Sequence, residues 1–419
     1  MIDIKERTEY TVLLPEWRKA RDLVRSERAV KARRTTYLPA LSGHDLSTEE
    51  GLADYDSYIT RASLTMYFKK IVNAFMGMLF RKPPVYSDDD EVGRRFGDQD
   101  ALTSYIMMVA KEYLVTGRSM LMVEVTGDGS LDLLYYRPEQ VIDWTDDASS
   151  VTIKTADGYL VLRSTPDGYI QEVYDADKEL VETLAPAYEG KKPDLPPVVF
   201  VGGIDAVDPL LAEIIDLNMH HYRLSADYNH GIHWACIPTP VVSGVPQEQA
   251  PCHLGSSEFV VLPNPQAKAY YMEYSGQGLT QAESRLKHYE QAISALAIDV
   301  IGQHAVRSTK TATQAAYEYT TTAASLVTIS RDIELAVNKI LAIHAQWAGY
   351  DPITCTINRD FVSASMDAQR IRAIMDLYLE GTISYESFFL ALQRGEIIRE
   401  GADPDEERRL IATSPPPGQ

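Results

Sequence analysis

Two long apolar seams constrain this chain more than anything else in it. Over residues 279–302, Ala282, Leu286, Tyr289, Ile293, Leu296 and Val300 step alternately by four and three. After a break at 302–311, Leu326, Ile329, Ile333, Ala336, Ile340, Ile343 and Trp347 keep the same rhythm. That spacing lines up one stripe of an α-helix and cannot line up one face of a strand. A stripe of this kind has to be covered by another layer, so this half of the chain must build helix-on-helix packing. The cover can come from the same chain or from a second copy, and a head-to-tail interface between copies closes into a ring when its rotation divides a full turn.

Residues 208–234 form a third helical stretch, with Asp208 placed as N-cap and Pro209 as first residue. Between it and the first seam, residues 236–278 are rich in Pro and Gly, with strand-like pieces at 239–243, 258–262 and 268–274. Two helices flanking a short β insertion make a hairpin that carries the insertion away from the body.

The N-terminal half reads differently. A helix is expected over 15–35, opened by Pro15 and stopped by Tyr37-Leu-Pro39, and a second over 54–80, ended by Lys82-Pro83-Pro84. A third covers 99–117, with Leu102, Tyr105, Ile106, Val109, Tyr113 and Leu114 on one side and Gly117 at its end. The period then changes to two. Strands at 118–126 and 130–136 flank Gly127-Asp128-Gly129, and Asp157-Gly158 and Asp167-Gly168 mark tight turns. Residues 118–201 therefore read as a meander of mostly antiparallel strands, closed by the run 196–201. Beyond the seams, 353–361 reads as a strand, 366–395 as two short helices joined at Gly381, and 412–419 as a tail. The fold class is α+β, helix-rich, with an antiparallel β region, a helical hairpin and a small β insertion.

The 419 residues carry a formal net charge of −20. Tight nucleic-acid binding rests on Lys and Arg displacing counterions, so this balance argues against a high-affinity binder of phosphates. It also disfavours an acidic membrane surface, and no run is apolar for ~18 residues. The N-terminus lacks the apolar core of a signal peptide. Three cysteines without a CxxC fit a reducing compartment. The charge is uneven: residues 1–34 hold ten Lys/Arg against six acids, so the remainder carries −24.

Motifs of catalysis are lacking. There is no GxxxxGK[ST], GxSxG or HExxH, so nucleotide hydrolysis is not expected of this chain. His230-x-x-His233-x-x-Cys236, with His220 and His221 nearby, has the look of a metal site. A zinc site normally draws ligands from separated clusters, whereas these lie along one helix, so packed helix histidines are the expectation. The acidic pairs Asp88-Asp89-Asp90, Asp146-Asp147 and Glu406-Glu407 lie in polar stretches without a basic or Gly-rich partner. No catalytic residue, cofactor or metal is expected. A metal-dependent hydrolase or nuclease using the acidic loops is the alternative from another class.

Several segments, taken in order, resemble tailed-bacteriophage portal proteins, and most closely a short subfamily described only as a domain of unknown function. The first is Tyr37-Leu-Pro39, then Tyr55-x-x-Tyr58-x-x-Arg61-Ala62, then Gly77-Met78-Leu79-Phe80-Arg81-Lys82-Pro83-Pro84. The second is Glu112-Tyr113-Leu114-Val115-Thr116-Gly117-Arg118, followed by Tyr136-Arg137-Pro138-Glu139-Gln140-Val141-Ile142-Asp143-Trp144. The third is Thr309-x-Thr311-Ala312-Thr313 with Ser325-Leu326, then Ile357-Asn358-Arg359-Asp360-Phe361 and Gly381-Thr382-Ile383-Ser384.

The resemblance implies a wing over 1–207, stem helices at 208–235 and 279–302, and a clip at 236–278. It also implies a tunnel loop at 303–313, a long tunnel helix and wing strand over 314–365, a short crown at 366–412 and a disordered tail at 413–419. It implies a ring of twelve subunits at one capsid vertex of the virion, assembled in the host cytoplasm, through which double-stranded DNA is packaged and ejected. The implied partners are the terminase large subunit, a neck or adaptor protein, the major capsid protein and scaffold, with no membrane. A neck or adaptor ring protein is a further alternative, though such proteins are usually much shorter. Within this frame His304, Arg307 and Lys310 are the candidates for DNA contact in the tunnel loop, and Arg285 and Lys287 for the stem channel. Pro240, Val242, Glu258, Phe259 and Tyr271 are the candidates for partner binding in the clip. The basic segment 18–34 could equally face a partner, DNA or solvent.

Overall fold

The computed structural model describes residues 4–127, 129–235, 239–244, 266, 268–272, 277–301, 312–359, 361, 368–395, 397–398 and 402–413. The chain divides into two compact units, Met1–Ile357 and Asn358–Gln419.

The first unit begins with helices α1 (Thr8–Arg25) and α2 (Glu27–Ala32). Pro15 lies inside α1 and does not open it; the helix starts seven residues earlier. The expected single helix over 15–35 is cut at Ser26, whose backbone turns extended (φ −175°, ψ 160°) and whose hydroxyl accepts from the Ala29 N–H to start α2. The expected helix over 54–80 is also two, α3 (Glu49–Arg61) and α4 (Tyr67–Leu79), with extended chain between them. The cause of that second break is remote in sequence and is described below.

A two-residue strand β1 (Val85–Tyr86) and helix α5 (Asp89–Phe96) lead to α6 (Gln99–Thr116). Gly117 ends α6 in the left-handed region (φ +76°), and a Cβ there would sit 2.8 Å from the Asp208 carbonyl oxygen.

The β region is two sheets and not one meander. Strands β2 (Ser119–Val125) and β3 (Leu131–Tyr136) form one hairpin. The strands β4 (Val141–Trp144), β5 (Ser150–Lys154), β6 (Gly158–Thr165), β7 (Gly168–Asp175) and β8 (Leu180–Leu184) form an antiparallel five-stranded sheet in sequence order. The chain then returns as β9 (Val198–Val201) to pair with β2, giving the order β3-β2-β9. Ser119 to Val123 are buried without alternation, as expected of a strand covered on both faces.

Helix α7 (Ala212–Ala235) follows, starting after a turn at Leu210–Leu211 in which the Ala212 N–H donates to the Pro209 carbonyl, so Asp208 is not its N-cap. Strands β10 (Thr239–Ser243) and β11 (Lys268–Met272) pair antiparallel, α8 (Gln277–Ile301) returns, and α9 (Ala312–Ala348) runs for 37 residues. Helix α9 packs on β2, β9, α6 and α8. Its expected seam is its buried face: Leu326, Ile329, Ile333, Ala336, Ile340 and Trp347 are all buried, with Ile343 half-buried. The strand expected at 353–361 is only β12 (Cys355–Thr356), which pairs with β1.

The second unit holds α10 (Ala368–Leu379), α11 (Tyr385–Arg394) and α12 (Pro404–Thr413). Gly381, at φ +73°, sits between α10 and α11. Helix α12 was not expected from the sequence, and residues 412 and 413, read as tail, belong to it. Tyr378 stacks on Phe388 at 4.7 Å, and Arg408 lies 4.1 Å over the Tyr385 ring.

Candidate functional site: the helical hairpin and its ribbon

Helices α7 and α8 pack along each other as a hairpin. On α7, Ile214, Ile215, Met219, Tyr222 and Ala226 are buried. On α8 the seam residues Ala282, Leu286, Tyr289 and Leu296 are half-buried and Ile293 is fully buried, while Glu283, Ser284, Arg285, Lys287, His288 and Gln291 face solvent. Gly231 lets the helices close together: a Cβ there would come 2.7 Å from Leu279 Cδ2. His220 stacks on Tyr289 at 6.0 Å, and His221, buried, puts Nε2 3.4 Å from Glu290 and its ring edge-on to Tyr67.

The polar residues of α7 explain the break between α3 and α4. Asn218, fully buried, accepts from the Phe68 N–H (3.1 Å) and donates to the Thr65 carbonyl (2.9 Å). Ser225 donates to the Ser63 carbonyl and Asn229 to the Arg61 carbonyl. These side chains, seven and four residues apart on α7, bond the backbone that a continuous helix would have satisfied internally. Asn218 serves as the remote cap of α4, whose own N-cap residue Met66 offers no side-chain bond.

The ribbon between the helices has the register Pro240↔Tyr271, Val241↔Tyr270 and Val242↔Ala269. Lys268, Ala269 and Tyr270 are exposed, Tyr270 at 54%. A two-stranded ribbon is only marginally stable on its own in water. Of the clip candidates, Pro240, Val242 and Tyr271 occupy the ribbon, whereas Glu258 and Phe259 lie outside the described residues. The tunnel-loop candidates His304, Arg307 and Lys310 lie outside them too. Both stem candidates are on the solvent face of α8 and both are engaged within it: Arg285 lies 4.7 Å over the Tyr289 ring, and Lys287 Nζ is 2.6 Å from Glu283.

The remaining polar signals are largely structural. In the basic segment, Lys19 pairs with Glu16 and Asp216, Lys31 with Glu27, Arg33 with Asp22 and Arg34 with Asp56. Arg21 binds both Glu112 of α6 and Glu139 of the turn before β4, so the two motif glutamates converge on one guanidinium. Arg118 is buried with its guanidinium 3.9 Å from the Trp144 ring and 4.5 Å from Phe200, and burial pushes its pKa down to about 9. Sequence reading missed Arg21 and Asn218, whose partners are 91 or more residues away. Asp88 caps α5, Asp146 pairs with Arg7, and Glu406 and Glu407 sit in the first turn of α12 and not in a loop. Cys236 of the histidine row lies outside the described residues. Among the described residues no three His, Cys, Asp or Glu side chains converge as metal ligands, and no helix is long and apolar enough to cross a membrane.

The family described as "Domain of unknown function (DUF4055)" matches residues 209–348, the span of the hairpin, its insertion and α9. No curated protein matches the chain. Among solved structures, the fold bears a distant likeness to a chain of the virion of a native gene transfer agent particle. The identity is 14%, over 85% of this chain and 92% of that one, with a TM-score of 0.40. A chain from the neck of the empty particle gives 12% identity over 90% and 98%, with a TM-score of 0.39. One from the neck of the native particle, computed with C12 symmetry, gives 15% over 78% and 89%, at 0.37.

Proposed function

We propose that this protein is a portal-type subunit of a phage-like particle. It forms a ring of twelve at one capsid vertex, and the ring serves as DNA conduit and docking hub without enzymatic activity of its own. The observation that carries this reading is the α7–ribbon–α8 hairpin followed by the 37-residue α9, inside the span that matches DUF4055. The ordered sequence motifs on either side of that span support it. The hairpin presents an exposed ribbon suited to docking a terminase or a neck protein, and a polar outer face on α8 suited to a wet channel.

Charge fits the role. Twelve copies of a chain at −20 carry −240, a field that keeps DNA from sticking to a wall it must slide past. Arg307 and Lys310, in the segment between α8 and α9, are the proposed points of phosphate contact. Arg285 and Lys287 are weaker candidates, since a neighbouring ring and a carboxylate already hold them.

The test is an image of the purified full-length protein along its symmetry axis. Rings are expected, and a strict monomer at micromolar concentration would refute the reading. Deleting 240–275 should abolish terminase or neck-protein docking while leaving the ring intact.

A further inference from the structure

The five-stranded sheet has two very different edges. At one edge is β4, which the N-terminal segment closes. The Arg7 N–H donates to the Ile142 carbonyl (2.9 Å) and its guanidinium to the Trp144 carbonyl (2.6 Å). At the other edge is β8, which has no strand beyond it among the described residues. All five β8 residues are exposed, Leu180 at 53% and Val181 at 65%. An open edge that carries exposed apolar side chains is a template for another chain.

The two edges also differ in charge. Asp177, Glu179 and Glu182 are exposed along β8 and the turn before it, and none has a cation within ion-pair distance among the described residues. Lys178, the base in this run, turns its Nζ back to the Ile4 carbonyl (2.6 Å). Beside β4, a recess of about 600 Å³ is lined by Arg18, Arg21, Tyr135, Arg137, Glu139 and Gln140. Arg21 already holds Glu139, the one carboxylate of that lining. Arg18 and Arg137 are exposed, with no carboxylate within ion-pair distance among the described residues. Val12, 66% exposed, and Pro15 stand on α1 in the two turns before Arg18.

Four strand spacings, about 19 Å, separate the acidic edge from the basic corner. Complementary patches at opposite edges of one sheet cannot meet within one molecule. A second copy brings them together head to tail, the arrangement that closes into a ring. Copies that each carry −20 repel one another, so a stable contact between them needs local charges of opposite sign.

We propose that β8 of one copy packs against the α1–β4 corner of the next. Asp177, Glu179 and Glu182 then face Arg18 and Arg137, and the apolar side chains of β8 cover Val12 and Pro15. The contact runs through side chains, because Arg7 already closes β4 to strand addition. This interface rests on the ring reading above.

Native mass spectrometry of the full-length chain over a concentration series tests this. Glu182→Arg and Arg137→Glu each reverse an exposed charge, so neither should change the unfolding temperature. Each alone should raise the concentration needed for half-assembly by about ten-fold or more, since like charges then face each other. The double variant should recover assembly. An equimolar mixture of the two single variants should recover it too, in rings where the variants alternate and each reversed edge meets a reversed corner. A contact within one molecule could not give that rescue. A wild-type chain that never assembles would remove the ring reading and this interface with it. Wild-type rings indifferent to both reversals, or reversals that neither the double variant nor the mixture rescues, would overturn the interface alone.

Discussion

Replacing Asn218 with Ala tests the remote cap directly. The Phe68 N–H lies in the first turn of α4, where no carbonyl of the same helix can reach it. Asn218 Oδ1 is its partner at 3.1 Å, at a site with no solvent access. Removing it orphans a buried donor, at a cost of about 1–3 kcal/mol. The Thr65 carbonyl loses its bond from Nδ2 but keeps one from the Tyr67 N–H (2.9 Å), so that loss costs only about 0.5–1.5 kcal/mol. The total is about 1.5–4.5 kcal/mol, felt first where α3 gives way to α4. Hydrogen exchange read on peptides spanning 62–72 should speed up by about 10- to 2000-fold if the segment opens locally. Ser225→Ala, which strips one acceptor bond from the Ser63 carbonyl, should do much less, because under-satisfied carbonyls are cheaper than orphaned N–H groups. An Asn218→Ala change under about three-fold, or a larger effect from Ser225→Ala, would show that the break is held by something other than α7.

Three further outcomes are expected. Gly117→Ala places a Cβ at φ +76° and 2.8 Å from the Asp208 carbonyl oxygen, so it should lower stability by about 2 kcal/mol, measured by thermal unfolding. His344 is buried against Phe96, and burial, with Arg95 contributing, holds its pKa below the unfolded value of about 6.5. The unfolded chain therefore binds more protons between the two values, and the unfolding temperature should fall as pH drops through about 6.5 toward the folded pKa; His344→Phe should flatten that slope, and an unchanged slope would count against it. Cys355, 1% exposed, has its thiol pKa pushed up to about 12 by burial and then by Glu334, so peptide mapping after iodoacetamide treatment at pH 8 should find it unlabelled until the chain is denatured.

Periodicity carried the helical half of this fold. The seams on α8 and α9 required no partner to be visible, because the three-four spacing is a property of consecutive residues, and their half-buried and buried faces follow it. The ribbon strands were legible as strand-like pieces at 239–243 and 268–274, and the structure places β10 and β11 at Thr239–Ser243 and Lys268–Met272. Breaks in the N-terminal helices were not. Tyr55 to Leu79 carries one continuous apolar stripe, and nothing between Ala62 and Met66 announces extended chain; the signal is in Asn218, Ser225 and Asn229, on another helix. Pro15 was misplaced because a proline can be accommodated inside a helix as well as at its start, and the residues before it decide which. The single meander became two sheets because β9 pairs with β2 across 75 or more intervening residues, a choice set by which edge was left open.

The candidate site divides along the same line. Composition and charge alone argued against tight phosphate binding by the body of the chain, and motif order alone suggested its place in a particle. Only the tertiary structure decided that most of the basic segment is spent on internal carboxylates and that Glu112 and Glu139 meet on Arg21. Local rules fix what a residue does with its neighbours three or four positions away. Which charges neutralise each other depends on chain folding that brings distant residues within a few ångströms.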